Sequence, residues 1–121
     1  PRQIYRPSQK NFLENDENEE LVEIPPLTNR ILSCYNLPVA GGFYFRALPY
    51  FFISQGIKKF NYNNRPAMLY FHPKDLDENM PKIKEYSWHY YYGKRNILTK
   101  FKKLLGDFEF TSAQDFLGFK N

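Results

Sequence analysis

Two histidines, His72 and His89, are the side chains here best suited to proton chemistry. His72 closes the stretch Asn64-Arg65-Pro66-Ala67-Met68-Leu69-Tyr70-Phe71-His72-Pro73-Lys74-Asp75, with Asp75, Asp77 and Glu78 at or just beyond its end. Histidine ordinarily titrates near pH ~6.5, so an imidazole beside carboxylates is a candidate general acid or base. A histidine there also serves as an ordinary strand end, and the spacing leaves both roles open. Sixteen residues separate the two histidines, and no H-x-x-x-H or H-E-x-x-H pattern exists, so no helical two-histidine metal clamp is available. Cys34 is the lone cysteine, which excludes an intrachain disulfide and a cysteine-based zinc site. No nucleophile elbow, P-loop or dinucleotide fingerprint is present.

Three other features carry possible chemistry. Gly41-Gly42 allows positive φ or a close backbone approach, and reads equally as a helix-entry turn. Arg46 follows closely: it can pair with Asp75 or Asp77, bind a substrate anion, or stand as a surface cation. Trp88-His89-Tyr90-Tyr91-Tyr92 is dense in aromatics, suited either to a core or to a stacking platform for sugars.

Composition narrows the classes. The 121 residues suit one domain or part of one, and 42% hydrophobic content suffices for a core. A net charge of +4 is mild for a nucleic-acid binder. The main basic cluster, Lys94, Arg95, Lys100, Lys102 and Lys103, falls on an expected helix and reads as its solvated face. No nucleic-acid partner is expected. The most apolar stretch, Phe43 to Ile57, is interrupted by Arg46, Pro49 and Gln55, and nothing approaches the ~20 apolar residues of a membrane span. A single cysteine fits a reducing compartment such as the cytoplasm without establishing one. A start at Pro1 rather than Met suggests a fragment or processed form.

The elements that must position these residues follow from periodicity and punctuation. Residues 1–20 are polar, acidic toward their end, and read as a loop or linker. Leu21–Ile24 reads as a short strand stopped by Pro25-Pro26, and Thr28–Tyr35 as irregular. Phe43–Leu48 reads as a short helix and Pro49–Phe60 as the main one, with Phe52, Ile53, Ile57 and Phe60 on its inner face. Met68–Phe71, a short apolar run after a proline, reads as a strand buried on both faces with His72 at its C-terminal end. A long loop follows. Lys94–Leu105 forms the clearest amphipathic helix, through Ile97, Leu98, Phe101, Leu104 and Leu105, with Gly106 at its C-terminus. Phe108-Glu109-Phe110 alternates like a strand, and Thr111 with Gln114 suggests a capping box opening a last turn. Alternating strands and helices imply an α/β fold with parallel strands. Three short strands make a poor free-standing parallel sheet, so residues 21–121 are expected to be one lobe of a larger domain.

Several phrases together resemble the C-terminal part of polysaccharide deacetylases of the NodB-homology class. They are Glu23-Ile24-Pro25-Pro26, Leu37-Pro38-Val39-Ala40-Gly41-Gly42, Tyr44-Phe45-Arg46-x-x-Pro49-Tyr50, Arg65-Pro66-Ala67 with Tyr70-Phe71-His72-Pro73, and Asp107-Phe108-x-Phe110. The resemblance runs from about Leu21 to Leu117, and its nearest branch is associated with exopolysaccharide biosynthesis and exosortase systems. It implies the C-terminal portion of a distorted (β/α) barrel that hydrolyses an acetyl group, N-acetyl in the leading case, on a sugar. It also implies a divalent metal, usually zinc, held by an Asp and two His in the N-terminal half of the domain, which this chain lacks. His72 matches the late histidine that protonates the departing amine or alkoxide. Gly41, Gly42, Tyr44, Arg46 and Asp75 would line or shape the cleft.

This sequence departs from that pattern at two places: Phe43 stands where a third glycine is usual, and Lys74-Asp75 where Trp-Glu often follows His-Pro. On this reading the chain alone neither binds the catalytic metal nor deacetylates; its partners are an acetylated polysaccharide or oligosaccharide and the missing half of its own domain. The alternative is a non-catalytic carbohydrate-binding or assembly module working through Trp88–Tyr92.

Overall fold

The structure is a computed structural model that describes residues 3–31 and 35–118, so Cys34 lies outside the described residues. Two strands, β1 (Thr28–Ile31) and β2 (Tyr35–Pro38), form an antiparallel hairpin in the register Thr28↔Pro38 and Ile31↔Tyr35. Strand β1 falls within Thr28–Tyr35, the segment expected to be irregular, and β2 begins at its end. The helices are α1 (Gly42–Ala47), α2 (Tyr50–Tyr62), the single turn α3 (Pro73–Leu76), α4 (Ile97–Asp107) and α5 (Ala113–Leu117), with a 3₁₀ turn at Trp88–Tyr90.

The arrangement is mixed α/β, as expected, but the described residues contain no barrel and no parallel ladder. The Met68–Phe71 run is extended yet pairs only through isolated parallel bridges, Pro26↔Met68 and Gly41↔Tyr70. It enters the fork where the chain diverges past the hairpin: Leu27 N donates to Met68 O at 3.0 Å, and Tyr70 N donates to Ala40 O at 3.0 Å. Each flank offers it one bridge, because Pro25 and Pro26 lack an N–H and the chain turns into α1 after Gly41. The run is therefore half-buried, and Tyr70 is exposed. Leu21–Ile24 likewise forms no strand, and only Glu23 bridges, to Tyr5. Phe108–Phe110 finds no neighbouring strand and instead lines an apolar groove with Met68 and Phe116.

The two-helix reading of residues 43–60 holds. Leu48 is extended (φ −83°, ψ 145°), as the residue before a proline prefers, and Pro49 caps α2. On α2, Ile53, Gly56 and Ile57 are buried, with Phe60 packed beside them. Phe52 is turned outward instead, against Phe51, since one residue along a helix rotates the side chain by about 100°. The same rotation exposes Leu98 and Leu105 on α4 while Ile97 and Leu104 are buried. The core joins Leu27, Val39, Ala40, Phe45, Ile53, Ile57, Ile97 and Leu104. At its centre the Phe45 ring meets Phe71 edge-on at 4.8 Å, and Phe71 meets Phe101 at 4.9 Å.

Two caps differ from expectation. The α5 N-cap is Ser112, whose Oγ accepts from Asp115 N at 3.0 Å, one residue later than Thr111. Helix α4 runs past Gly106 to Asp107, whose Oδ2 accepts from the Tyr50 hydroxyl at 2.7 Å and so ties its end to the start of α2. The polar N-terminal stretch is anchored: Tyr5 is buried and its hydroxyl donates to Glu23 Oε2 at 2.8 Å.

Candidate functional site

His72, Gly42 and Arg46 converge on one carboxylate. His72 caps α3, and its main-chain N–H donates to Asp75 Oδ2 at 3.3 Å while its carbonyl accepts from Asp75 N at 2.8 Å. Asp75 Oδ1 lies 3.6 Å from Arg46 Nη2, with the two side chains only 8% and 4% exposed. The remaining Arg46 donors go inward: Nη1 donates to the carbonyls of Tyr90 (2.7 Å) and Tyr92 (3.2 Å), and Nε to Gly42 O (3.4 Å). Burial lowers the Arg46 pKa, and the Asp75 charge offsets that shift. The surface-cation and substrate-anion readings of Arg46 are thereby corrected: it pairs with Asp75, the first of the two partners considered. Asp75 is buried with it and turns its carboxylate to Arg46 and to the His72 main chain. The His72 side chain is left exposed, with Tyr70 as its aromatic neighbour at 6.3 Å.

The glycine pair serves two different needs. A Cβ on Gly41 would sit 1.7 Å from the Tyr70 carbonyl oxygen, so this position requires glycine for close approach. Gly42 has φ +56°, and a Cβ there would meet only Asp75 Oδ2, at 3.8 Å. Tyr44, on the first turn of α1, shares a cleft with Gly41, Tyr70, Pro26 and Glu23.

An aromatic shelf lies beside these residues. Phe43 is its hub, meeting Tyr44 at 5.7 Å, Trp88 at 5.9 Å, Tyr92 at 6.0 Å and His89 at 6.3 Å. Trp88 remains 69% exposed and Tyr92 53%. The shelf touches the α3 turn through Lys74, whose ammonium lies 5.1 Å from the Tyr90 ring centre. Phe43, Gly93 and Lys94 belong to this assembly, although the sequence marks the first as a helix start and a departure from the deacetylase pattern, gives no role to the second and places the third on a solvated helix face. Gly93, at φ +72°, packs so closely that a Cβ would lie 2.6 Å from the Arg46 carbonyl oxygen. A glycine directly after an aromatic run was the available signal.

Lys94 is buried, and Nζ donates to the carbonyls of Lys74 and Asp77, the latter at 3.1 Å, and contacts Met80 Sδ at 3.2 Å. Burial first, then the Arg46 charge, lowers its pKa. Lys100 is also withdrawn: its ammonium donates to the carbonyls of Phe45 and Leu48 at the end of α1, and burial pulls its pKa down to about 8. Lys103 pairs with Asp107 at 3.0 Å. Of the expected solvated basic face, Arg95, Lys102 and Lys103 are exposed as expected, while Lys94 and Lys100 turn into the fold.

No group of three or more His, Cys, Asp or Glu side chains among the described residues could hold a metal ion. The carboxylate nearest His72 is already committed to Arg46. No helix among them is long and apolar enough to cross a membrane.

Comparison with known proteins returns one match: the family described as a domain of unknown function, DUF3473, over residues 4–118. The chain belongs to that family. No curated protein and no solved structure matches it.

Proposed function

We propose that this DUF3473 domain is the C-terminal part of a metal-dependent polysaccharide deacetylase, with His72 as the general acid. The observation that carries the reading is one of placement. A solvent-exposed imidazole, its main chain held by a buried carboxylate, opens a turn that is tied to the segment of exposed aromatic rings through Lys74 over the Tyr90 ring and through the Asp75–Arg46 pair. Sugars present flat C–H faces that pack on such rings, while tyrosine hydroxyls and the indole N–H supply hydrogen bonds at the edge.

In the reaction water adds to the acetyl carbonyl carbon, and the bond from that carbon to the sugar nitrogen then breaks. The departing amine takes its proton from the His72 imidazole. The phrases that resemble the deacetylase class contain His72, Gly41, Gly42, Tyr44 and Arg46. The divalent metal of that class, zinc in the usual case, would be held by residues outside this chain and would polarise the acetyl carbonyl. The substrate class is an acetylated polysaccharide or oligosaccharide.

The test is His72→Ala in the full-length protein carrying this domain, assayed for acetate release from N-acetylated chito-oligosaccharides. Loss of a general acid lowers turnover by roughly 10²–10⁴-fold, with metal content unchanged. Unchanged turnover refutes the role.

The exposure of Trp88 favours a second reading, a non-catalytic carbohydrate-binding or assembly module. It predicts that glycan binding survives His72→Ala and that no acetate is released by the full-length protein.

A further inference from the structure

One side chain, that of Arg46, runs from the His72 turn to the backbone of the aromatic segment. From His72 the path runs through its N–H to Asp75 Oδ2 (3.3 Å), from Asp75 Oδ1 to Arg46 Nη2 (3.6 Å), and from Arg46 Nη1 to the carbonyls of Tyr90 (2.7 Å) and Tyr92 (3.2 Å). Those carbonyls belong to the segment that carries Trp88 and the shelf. Gly93 extends the contact, because its bare α-carbon lets the chain lie directly on the Arg46 backbone.

We propose that Arg46 is a positioning residue that holds the Trp88–Tyr92 segment in register with His72, so that a sugar ring seated on the shelf presents its neighbour to the imidazole. The role rests on the reading of His72 and the shelf as two parts of one sugar site.

A guanidinium suits this task for a geometric reason. Its planar fork sends donors in several fixed directions, so one group reaches a carboxylate on one side and two carbonyls on the other. A lysine ammonium is a single point and cannot span them. Other contacts also run between the segments: Lys74 lies over the Tyr90 ring, Lys94, directly after Gly93, donates to the carbonyls of Lys74 and Asp77, and the Tyr91 hydroxyl accepts from Ile83 N in the loop of residues 77–87; the fork is the link that runs through Asp75. The shelf rings are mostly exposed, so core packing does not set where they stand.

The experiment is amide hydrogen exchange on the full chain, comparing wild type, Arg46→Lys and Asp75→Asn. Expected in Arg46→Lys is exchange faster by about tenfold at His72 and also at Tyr90, Tyr91 and Tyr92, with α2 and α4 amides within about twofold of wild type. Asp75→Asn gives the sharper result, because Asp75 bonds to none of the shelf residues. Acceleration there at Tyr90–Tyr92 as well as at His72 shows transmission through Arg46. Acceleration confined to His72 in Asp75→Asn overturns the proposal, as does an Arg46→Lys variant whose α2 and α4 amides accelerate as much as those of Tyr90–Tyr92; the latter marks a general contribution to folding.

In the full-length protein, Arg46→Lys is expected to raise KM and lower kcat together for N-acetylated chito-oligosaccharides, whereas His72→Ala lowers kcat alone. A change confined to one constant in Arg46→Lys counts against the brace. If His72→Ala leaves turnover intact, the deacetylase reading fails, while the exchange result still decides the brace.

Discussion

The Arg46 guanidinium stands 3.6 Å from the Asp75 carboxylate, with both side chains nearly closed to solvent. A buried pair of this kind contributes less by its attraction than by what its loss leaves behind, an uncompensated charge in a poorly polarisable environment. Replacing one partner is therefore far more damaging than the pair is stabilising.

Asp75→Asn is accordingly expected to cost about 3 kcal/mol, the lower end for breaking a buried pair. The lower end applies because Arg46 keeps its bonds to the carbonyls of Gly42, Tyr90 and Tyr92. Urea unfolding followed by circular dichroism measures it. A cost below about 1 kcal/mol would show that the pair is hydrated in solution.

Adjacent glycines should respond differently to the same methyl group. Gly41→Ala drives a Cβ into the Tyr70 carbonyl, against backbone that cannot step aside, and should cost ~3 kcal/mol or more. Gly42→Ala makes only an ordinary contact with Asp75 Oδ2 but holds alanine at positive φ, for roughly 1–2 kcal/mol. Denaturation midpoints of the two variants, compared directly, check the order.

Lys100 makes stability depend on pH in a defined sense. Its folded pKa of about 8 lies below the ordinary lysine value of 10.5, so between these limits the unfolded chain binds more protons than the native one. Stability should rise as pH increases from about 8 toward 10, and the lowered pKa of Lys94 acts in the same direction. Above pH ~10 the raised pKa of Tyr50 works the other way, since the native state then keeps a proton that the unfolded chain loses. Unfolding free energies between pH 7 and 10, in wild type and in Lys100→Met, test this: the variant should show a shallower rise.

Trp88 should matter for ligand and not for folding. It is the chain's one tryptophan and is largely exposed, so Trp88→Ala should change stability by no more than ~0.5 kcal/mol. Loss of a stacking ring should weaken binding of chitotetraose several-fold, given the ~0.5–1.5 kcal/mol typical of ring contacts. Isothermal titration reads the affinity in wild type and variant, and equal affinities would remove the shelf from the sugar site.

Much of the frame was legible in the sequence. Helices α1 and α2 and the break between them follow from Gly41-Gly42 and Pro49, since proline removes a donor and restrains the residue before it. The core-facing half of α4 follows from Ile97, Phe101 and Leu104. The hairpin was missed because Thr28–Ile31 and Tyr35–Pro38 lack an alternating pattern, with Asn29, Arg30, Tyr35 and Asn36 set by pairing and not by a buried face. The expected parallel strands failed for a related reason: a short apolar run specifies an extended chain without specifying what lies beside it.

What the sequence determined by itself was chemical: one family of phrases, His72 at the end of an extended apolar run, and an aromatic surplus near residue 90. Which charges are inside was decided only by the tertiary structure. Arg46, Asp75, Lys94 and Lys100 look like surface residues one at a time, because a lone charge belongs in water. The first three are buried and Lys100 half-buried because residues distant in the chain meet them, Asp75 for Arg46, the carbonyls of Lys74 and Asp77 for Lys94, and those of Phe45 and Leu48 for Lys100. Burial of a charge is a property of its partners, and partners are chosen by the fold.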